Sequence, residues 1–228
     1  MTDKKLFNKY LGKNEIQVLK KLKTPELIQE YINKSITYDP DREDRPVSQV
    51  LKDGRGECFN AALFACAALS YHGYQTSVLE LLHREDEEHI LCVYNLNGRY
   101  GAIAQSKFAG LKGRLPFYLN IRDLAASYLE FYFAFDGHYS LYSYSDLINI
   151  GKYRLKWLYD RDTVNKISRD LTKLKHFPLV KKNDPYFYVS PERFWKEVQI
   201  IPKGTKIPKK YLDYKLKEFK NSVAKVAG

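Results

Sequence analysis

Cysteine is scarce in this chain of 228 residues: Cys58, Cys66 and Cys92 are the only three. So small and odd a number excludes a disulfide scaffold and points to a reducing, cytoplasmic compartment. Long apolar runs are missing too. The longest charge-free stretch, near residues 58 to 71, is interrupted by Asn60, Ser70 and Tyr71, and a membrane span needs about 18 apolar residues. The opening Met1-Thr2-Asp3-Lys4-Lys5 leads into no apolar h-region, so no secretory signal is expected. No phosphate-loop or dinucleotide glycine pattern occurs. His83 and His89 flank Asp86, Glu87 and Glu88, but hard carboxylates on a loop without cysteine spacing match no zinc pattern. Neither a metal nor another cofactor is expected.

What is present suits a folded domain. Hydrophobic residues make up 44% and charged residues 29%, a balance that argues against disorder. A chain of this length buries roughly 70% of its unfolded surface. The net charge of +11 is uneven: residues 151 to 228 carry 20 Lys/Arg and 8 Asp/Glu, a balance of +12, and the first 150 balance to −1. Lys203, Lys206, Lys209, Lys210, Lys215, Lys217 and Lys220 crowd one proline-punctuated stretch. Two explanations stand: a solvated surface, or a docking face for a polyanion such as nucleic acid, anionic lipid or an acidic partner.

Along the chain, residues 14 to 33 read as two short helices, the second starting at Thr24-Pro25, a cap followed by a proline at the first helical position. Residues 36 to 46 read as a loop, and Gly54 and Gly56 interrupt the chain again. Cys58 to Gly73 is apolar on nearly every face, the mark of a buried helix. Strands follow over Gln75–Leu82, His89–Asn95 and Arg99–Gln105, the last two flanking the hairpin signal Asn97-Gly98. Apolar spacing predicts an amphipathic helix over about 121 to 135, and residues 160 to 176 read as a basic helix. The aromatics between Phe117 and Tyr159 suit either a tyrosine-rich core or a stacking groove. The expected units are N-terminal helices over 1–35, a central domain over 36–160, and a basic extension over 161–228 packed on that domain.

Chemistry is expected where the buried helix begins. Cys58 occupies its first turn, where unpaired N–H groups and the helix dipole favour a thiolate. The same N–H groups suit an oxyanion. His89, opening a strand, is the candidate base. A third group should hold the imidazole. A two-residue Asn97-Gly98 turn makes paired positions sum to 195 and sets Ser106 opposite His89; a three-residue loop sets Gln105 there. Cys66 reads as core. Cys92, three residues from His89 on a strand, faces the opposite way.

Gly54-Arg55-Gly56-Glu57-Cys58-Phe59-Asn60-Ala61-Ala62-Leu63, then Glu88-His89-Ile90-Leu91-Cys92-Val93-Tyr94, then Gly101-Ala102-Ile103-Ala104-Gln105-Ser106 resemble the transglutaminase-like superfamily, in particular its small bacterial members. The resemblance covers about residues 36 to 110. It implies an α+β fold with a papain-like core, in which a helix starting at the cysteine packs on an antiparallel sheet. It also implies Cys58 as nucleophile and His89 as base in amide or peptide hydrolysis or acyl transfer, with a protein or peptide amide as substrate. Gln105-Ser106 stands where the superfamily carries Asp, so a neutral side chain would orient His89, or catalysis is lost and a binding module remains.

Overall fold

The computed structural model describes residues 4–39, 44–83, 88–132 and 139–181. Three helices open it, α1 (Lys4–Tyr10), α2 (Lys13–Lys21) and α3 (Pro25–Ser35), one more than the sequence spacing suggests. The extra one, α1, is anchored by one ring: Phe7 is fully buried and meets Tyr71 edge-on at 5.3 Å between centroids. The α3 start is as expected, with the Thr24 hydroxyl accepting the Leu27 N–H and Pro25 in the first turn.

A two-residue strand, β1 (Thr37–Tyr38), pairs in parallel with β2 (Arg55–Gly56), which follows α4 (Val47–Asp53). Between them Gly54, at φ 61°, turns the chain in a left-handed conformation that favours glycine. The buried helix α5 (Cys58–Tyr71) comes next, with 13 of its residues buried.

The main sheet is antiparallel. It contains β3 (Thr76–His83), β4 (Glu88–Leu96), β5 (Arg99–Ile103), β6 (Arg114–Tyr118), β7 (Leu141–Ser145), β8 (Ile148–Asn149) and β9 (His176–Pro178). Its order is β6-β5-β4-β3-β7-β9, and β8 also pairs with β3. Asn97 and Gly98 take φ values of 52° and 79°, as a two-residue primed turn requires. Leu96 pairs with Arg99 and Cys92 with Ile103, so the two-residue register holds.

Both faces of the sheet are covered, which explains why β4 reads as an unbroken apolar run rather than an alternating one. Val78, Ile90, Cys92, Tyr94 and Ile103 face α5 and share its core. Leu79, Leu81, Leu91, Val93 and Ala102 face the other way, toward Leu124, Ala125, Tyr128 and Tyr132. The architecture is thus α+β, with the cysteine helix packed on an antiparallel sheet.

The amphipathic segment after Asn120 is shorter than its periodicity predicts. Helix α6 (Ile121–Ala126) stops, and a 3-10 turn spans Leu129–Phe131. The Ser127 hydroxyl bonds back to the Leu124 carbonyl and Arg114 takes the Ser127 carbonyl; such local competition ends a helix. Residues 133–138, with His138, lie outside the described residues. Of the described aromatics, Tyr128, Tyr132, Tyr153 and Trp157 are buried in the two cores, which favours the core explanation. The basic segment forms α7 (Arg161–Leu171), and its end becomes β9. Among the described residues no helix is long and apolar enough to cross a membrane.

Phe64 is wholly buried on α5 and contacts Tyr31 at 5.4 Å between rings, whereas Phe117 on β6 is 70% exposed. In urea unfolding, Phe64→Ala should lose about 3–5 kcal/mol and Phe117→Ala no more than about 0.5 kcal/mol. Equal losses would contradict the packing described.

Candidate active site

The chain is held tightly on its approach to Cys58. Asp39 is buried, accepts from Arg45 at 2.5 Å and lies 3.6 Å from Arg55 Nε. Its backbone N–H bonds to the Gly56 carbonyl. A Cβ on Gly56 would lie 2.9 Å from Asn60 Cβ, so only glycine allows this close approach. Glu57 then caps α5. Its Oε1 accepts the Asn60 N–H at 3.1 Å, and Asn60 Oδ1 accepts the Glu57 N–H at 3.3 Å, a reciprocal capping box. Among the described residues, Asn60 Nδ2 is a buried donor without a partner.

This capping changes the electrostatics expected of Cys58. Cys58 is 7% exposed, and its thiol donates to Glu57 Oε2 at 2.9 Å. Burial pushes its pKa well above the ordinary value, the Glu57 charge pushes it further, and a backbone hydrogen bond from Ile90 pulls the other way. A helix N-terminus holds roughly half a unit of positive charge, and here the Glu57 carboxylate occupies it. The expectation of a thiolate favoured by the helix start is therefore corrected: the resting group is a neutral thiol. Glu57 has its own carboxyl raised by burial, with Cys58 and the Phe59 and Asn60 N–H groups opposing. Asp44 and Glu88 add negative potential nearby.

The structure does not bring His89 to Cys58. His89 pairs with Leu81 across β3 and β4, and Leu81 belongs to the core on the side away from α5. Strand side chains alternate, so Ile90 and Cys92 face α5 while His89 faces Tyr128 and Tyr132, 6.2 and 6.3 Å away between ring centroids. The physical reason is parity: with both faces apolar, the β4 sequence does not reveal which side its histidine takes.

His89 instead holds a loop. Its Nε2 lies 2.7 Å from the Leu111 carbonyl, which only accepts, so Nε2 carries the hydrogen. Tyr128 donates its hydroxyl to the Lys112 carbonyl at 3.0 Å. Arg114 donates to the Gly110, Lys112 and Gly113 carbonyls and lies 3.8 Å over the Tyr128 ring. Three side chains thus satisfy the carbonyls of residues 110 to 113. Burial depresses the His89 pKa from 6.5 to about 4, and the Arg114 charge adds to this against the Leu111 bond.

The two candidates for the third group are engaged elsewhere. The β5 ladder ends at Ile103, and the Gln29 side chain continues it by bonding both backbone groups of Ala104. Gln105 Nε2 donates to the Ile36 carbonyl at 2.6 Å and its Oε1 accepts the Ser106 N–H. Ser106 Oγ accepts the Phe108 N–H.

Cys66 and Cys92 are fully buried between α5 and β4, with their sulfurs 3.2 Å apart. Sequence reasoning missed one pair entirely. Glu80 pairs in register with Ile90 and so faces α5, and His176 Nε2 reaches its Oε2 at 2.9 Å from β9. The signal was Glu80 itself: a carboxylate inside an apolar strand requires a partner. Nothing in the sequence marked that partner 96 residues away. Among the described residues no three metal-ligating side chains converge.

His89→Asn should cost about 1–3 kcal/mol in urea unfolding at neutral pH, since a buried carbonyl loses its donor. Because the folded pKa is depressed, the contribution of His89 is complete above 6.5 and is lost as pH falls toward about 4. The difference between wild type and variant should therefore shift by roughly 3 kcal/mol over that window, enough to close the gap and leave the variant the more stable near pH 4. Alkylation of Cys58 by iodoacetamide should be unchanged in the variant; slowing with the fold intact would show the imidazole acting on the thiol.

A family model described as the transglutaminase-like superfamily matches residues 13–139. The span runs from α2 past α6 and contains both Cys58 and His89. No curated protein matches the chain. With the cysteine helix packed on the antiparallel sheet and more than half of the sequence matched, the chain belongs to the transglutaminase-like superfamily.

Proposed function

We propose that the protein performs thiol-dependent acyl transfer or hydrolysis on protein or peptide amides, with Cys58 as the nucleophile. The observation that carries this reading is the place of the thiol: first residue of the buried helix, beside the Ile90 backbone, with its proton already directed at a carboxylate. The Cys58 sulfur attacks the amide carbonyl, the amine departs, and an acyl-thioester remains. Water or a second amine then takes the acyl group. The base role expected of His89, with Ser106 or Gln105 behind it, is not carried forward, because the ring lies across the sheet from the sulfur. The three unpaired cysteines suit a reducing, cytoplasmic setting.

A second reading is favoured by the same placement of His89 and by the burial of Cys58: a member that keeps the fold without catalysis and binds a polyanion through its basic C-terminal portion. The lysines from Lys203 to Lys220 on which that rests lie outside the described residues.

One experiment separates the two. Glutamine- and asparagine-containing peptides are incubated with the full chain and hydroxylamine as acceptor, and hydroxamate is measured by mass. The first reading predicts hydroxamate that Cys58→Ser abolishes without loss of folding. Product absent for every peptide, together with retention on heparin above physiological salt, would select the second.

A further inference from the structure

We propose that Glu57 is the proton acceptor for the Cys58 thiol, taking the place of the imidazole base. The proposal rests on Cys58 being the nucleophile and assigns the group that activates it. Among the described residues, Glu57 Oε2 is the side-chain acceptor on the Cys58 sulfur, at 2.9 Å, within the range proton transfer requires. The other carboxylate oxygen is fixed by the Asn60 N–H, so the acceptor is aimed by the cap of the helix that carries the nucleophile. Of the histidines in the described residues, His83 and His89 face the opposite side of the sheet, both toward Tyr132. His72 bonds the Leu19 carbonyl, and both ring nitrogens of His176 are engaged, with the Leu174 carbonyl and Glu80.

The step balances simply. The S–H bond breaks and its proton passes to Glu57 Oε2, which becomes a neutral carboxylic acid. The sulfur electron pair forms the S–C bond to the acyl carbon, and the leaving amine departs with the proton returned by Glu57. Before and after transfer one negative charge lies under the helix N-terminus; it moves from oxygen to sulfur and no new charge is created in the buried site. An imidazole base would create an ion pair there instead, at a desolvation cost. Other charged groups facing the pair are Asp44, ahead of α4, and Glu88, at the start of β4. Asp44 is itself bonded to Ser168 and near Arg161 of α7. Burial keeps the Glu57 carboxyl basic, and the Asp44 charge adds to this; the Glu88 charge acts on Cys58.

Acetylation of Cys58 by p-nitrophenyl acetate provides the test, with the acetyl group located by peptide mass mapping on the full chain. Glu57→Gln retains an oxygen for the Asn60 N–H and so keeps the cap, but cannot take a proton. Wild type should acetylate at a rate independent of pH across the neutral range, falling as Glu57 protonates at acid pH. The variant should be slower by about 100-fold at neutral pH and gain about tenfold per pH unit as thiolate forms. Rates within twofold at neutral pH would overturn the proposal. If the variant does not fold, the wild-type profile decides alone: a rate rising steadily through the neutral range means an unassisted thiolate and overturns it. Acetylation that maps to other residues and persists in Cys58→Ser would remove the nucleophile reading and this proposal with it, whereas Cys58-dependent acetylation indifferent to Glu57 removes this proposal alone.

Discussion

Helix α5 has almost no polar face, and it lies on the β3–β4 pair with alanine at Ala61, Ala62, Ala65, Ala67 and Ala68, all fully buried. Small side chains let the helix approach the sheet closely, and the apolar area removed there is the main favourable term. Other elements close around this contact. Phe7 of α1 meets the end of α5 at Tyr71, α3 covers Phe64 through Tyr31, and α7 adds Val164, Ile167 and Leu171 to the same core. The reverse side of the sheet is sealed by α6 and the turn after it. Because both faces are closed, the alternation of β4 divides its side chains between two separate interiors.

That division governs the chemistry. Cys58, on the α5 side, sees an acidic surrounding: Glu57 and Glu88 act on its thiol, and Asp44 acts on Glu57. Residues on the other side see tyrosines and Arg114. Cys58 belongs to the first interior and His89 to the second. The two titratable groups most suggestive in sequence are therefore held apart by the strand that carries one of them. Each keeps its neutral form for the same reason, burial, which raises the thiol and depresses the imidazole.

Much of the fold was legible because local signals agreed with tertiary demands. Thr24-Pro25 marked a helix start, Asn97-Gly98 fixed the hairpin and its register, and the all-apolar run after Cys58 could only be a buried helix. The illegible parts had long-range causes. Leu141–Ser145 forms a strand through pairing with β3, and its tyrosines disguised an alternation of buried Leu141, Ser143 and Ser145. The helix after Asn120 was cut short by Arg114, which lies on β6. At the site, the sequence places Cys58 at a helix start, as the structure has it, while the effect of the residue before it is less apparent. A capping glutamate directly preceding a cysteine competes for the same N–H groups, and that competition could have been read from Glu57-Cys58-Phe59-Asn60 alone.

The separation of Cys58 from His89, with both neutral, is tested most directly by nitrogen-detected NMR of the His89 imidazole across a pH titration of wild type and Cys58→Ser. The structure predicts an Nε2–H tautomer, contacts from its ring to Tyr128 and Tyr132, and protonation only near pH 4, identical in both proteins. A doubly protonated His89 at neutral pH that reverts to neutral in Cys58→Ser would reveal a thiolate–imidazolium pair and contradict the arrangement.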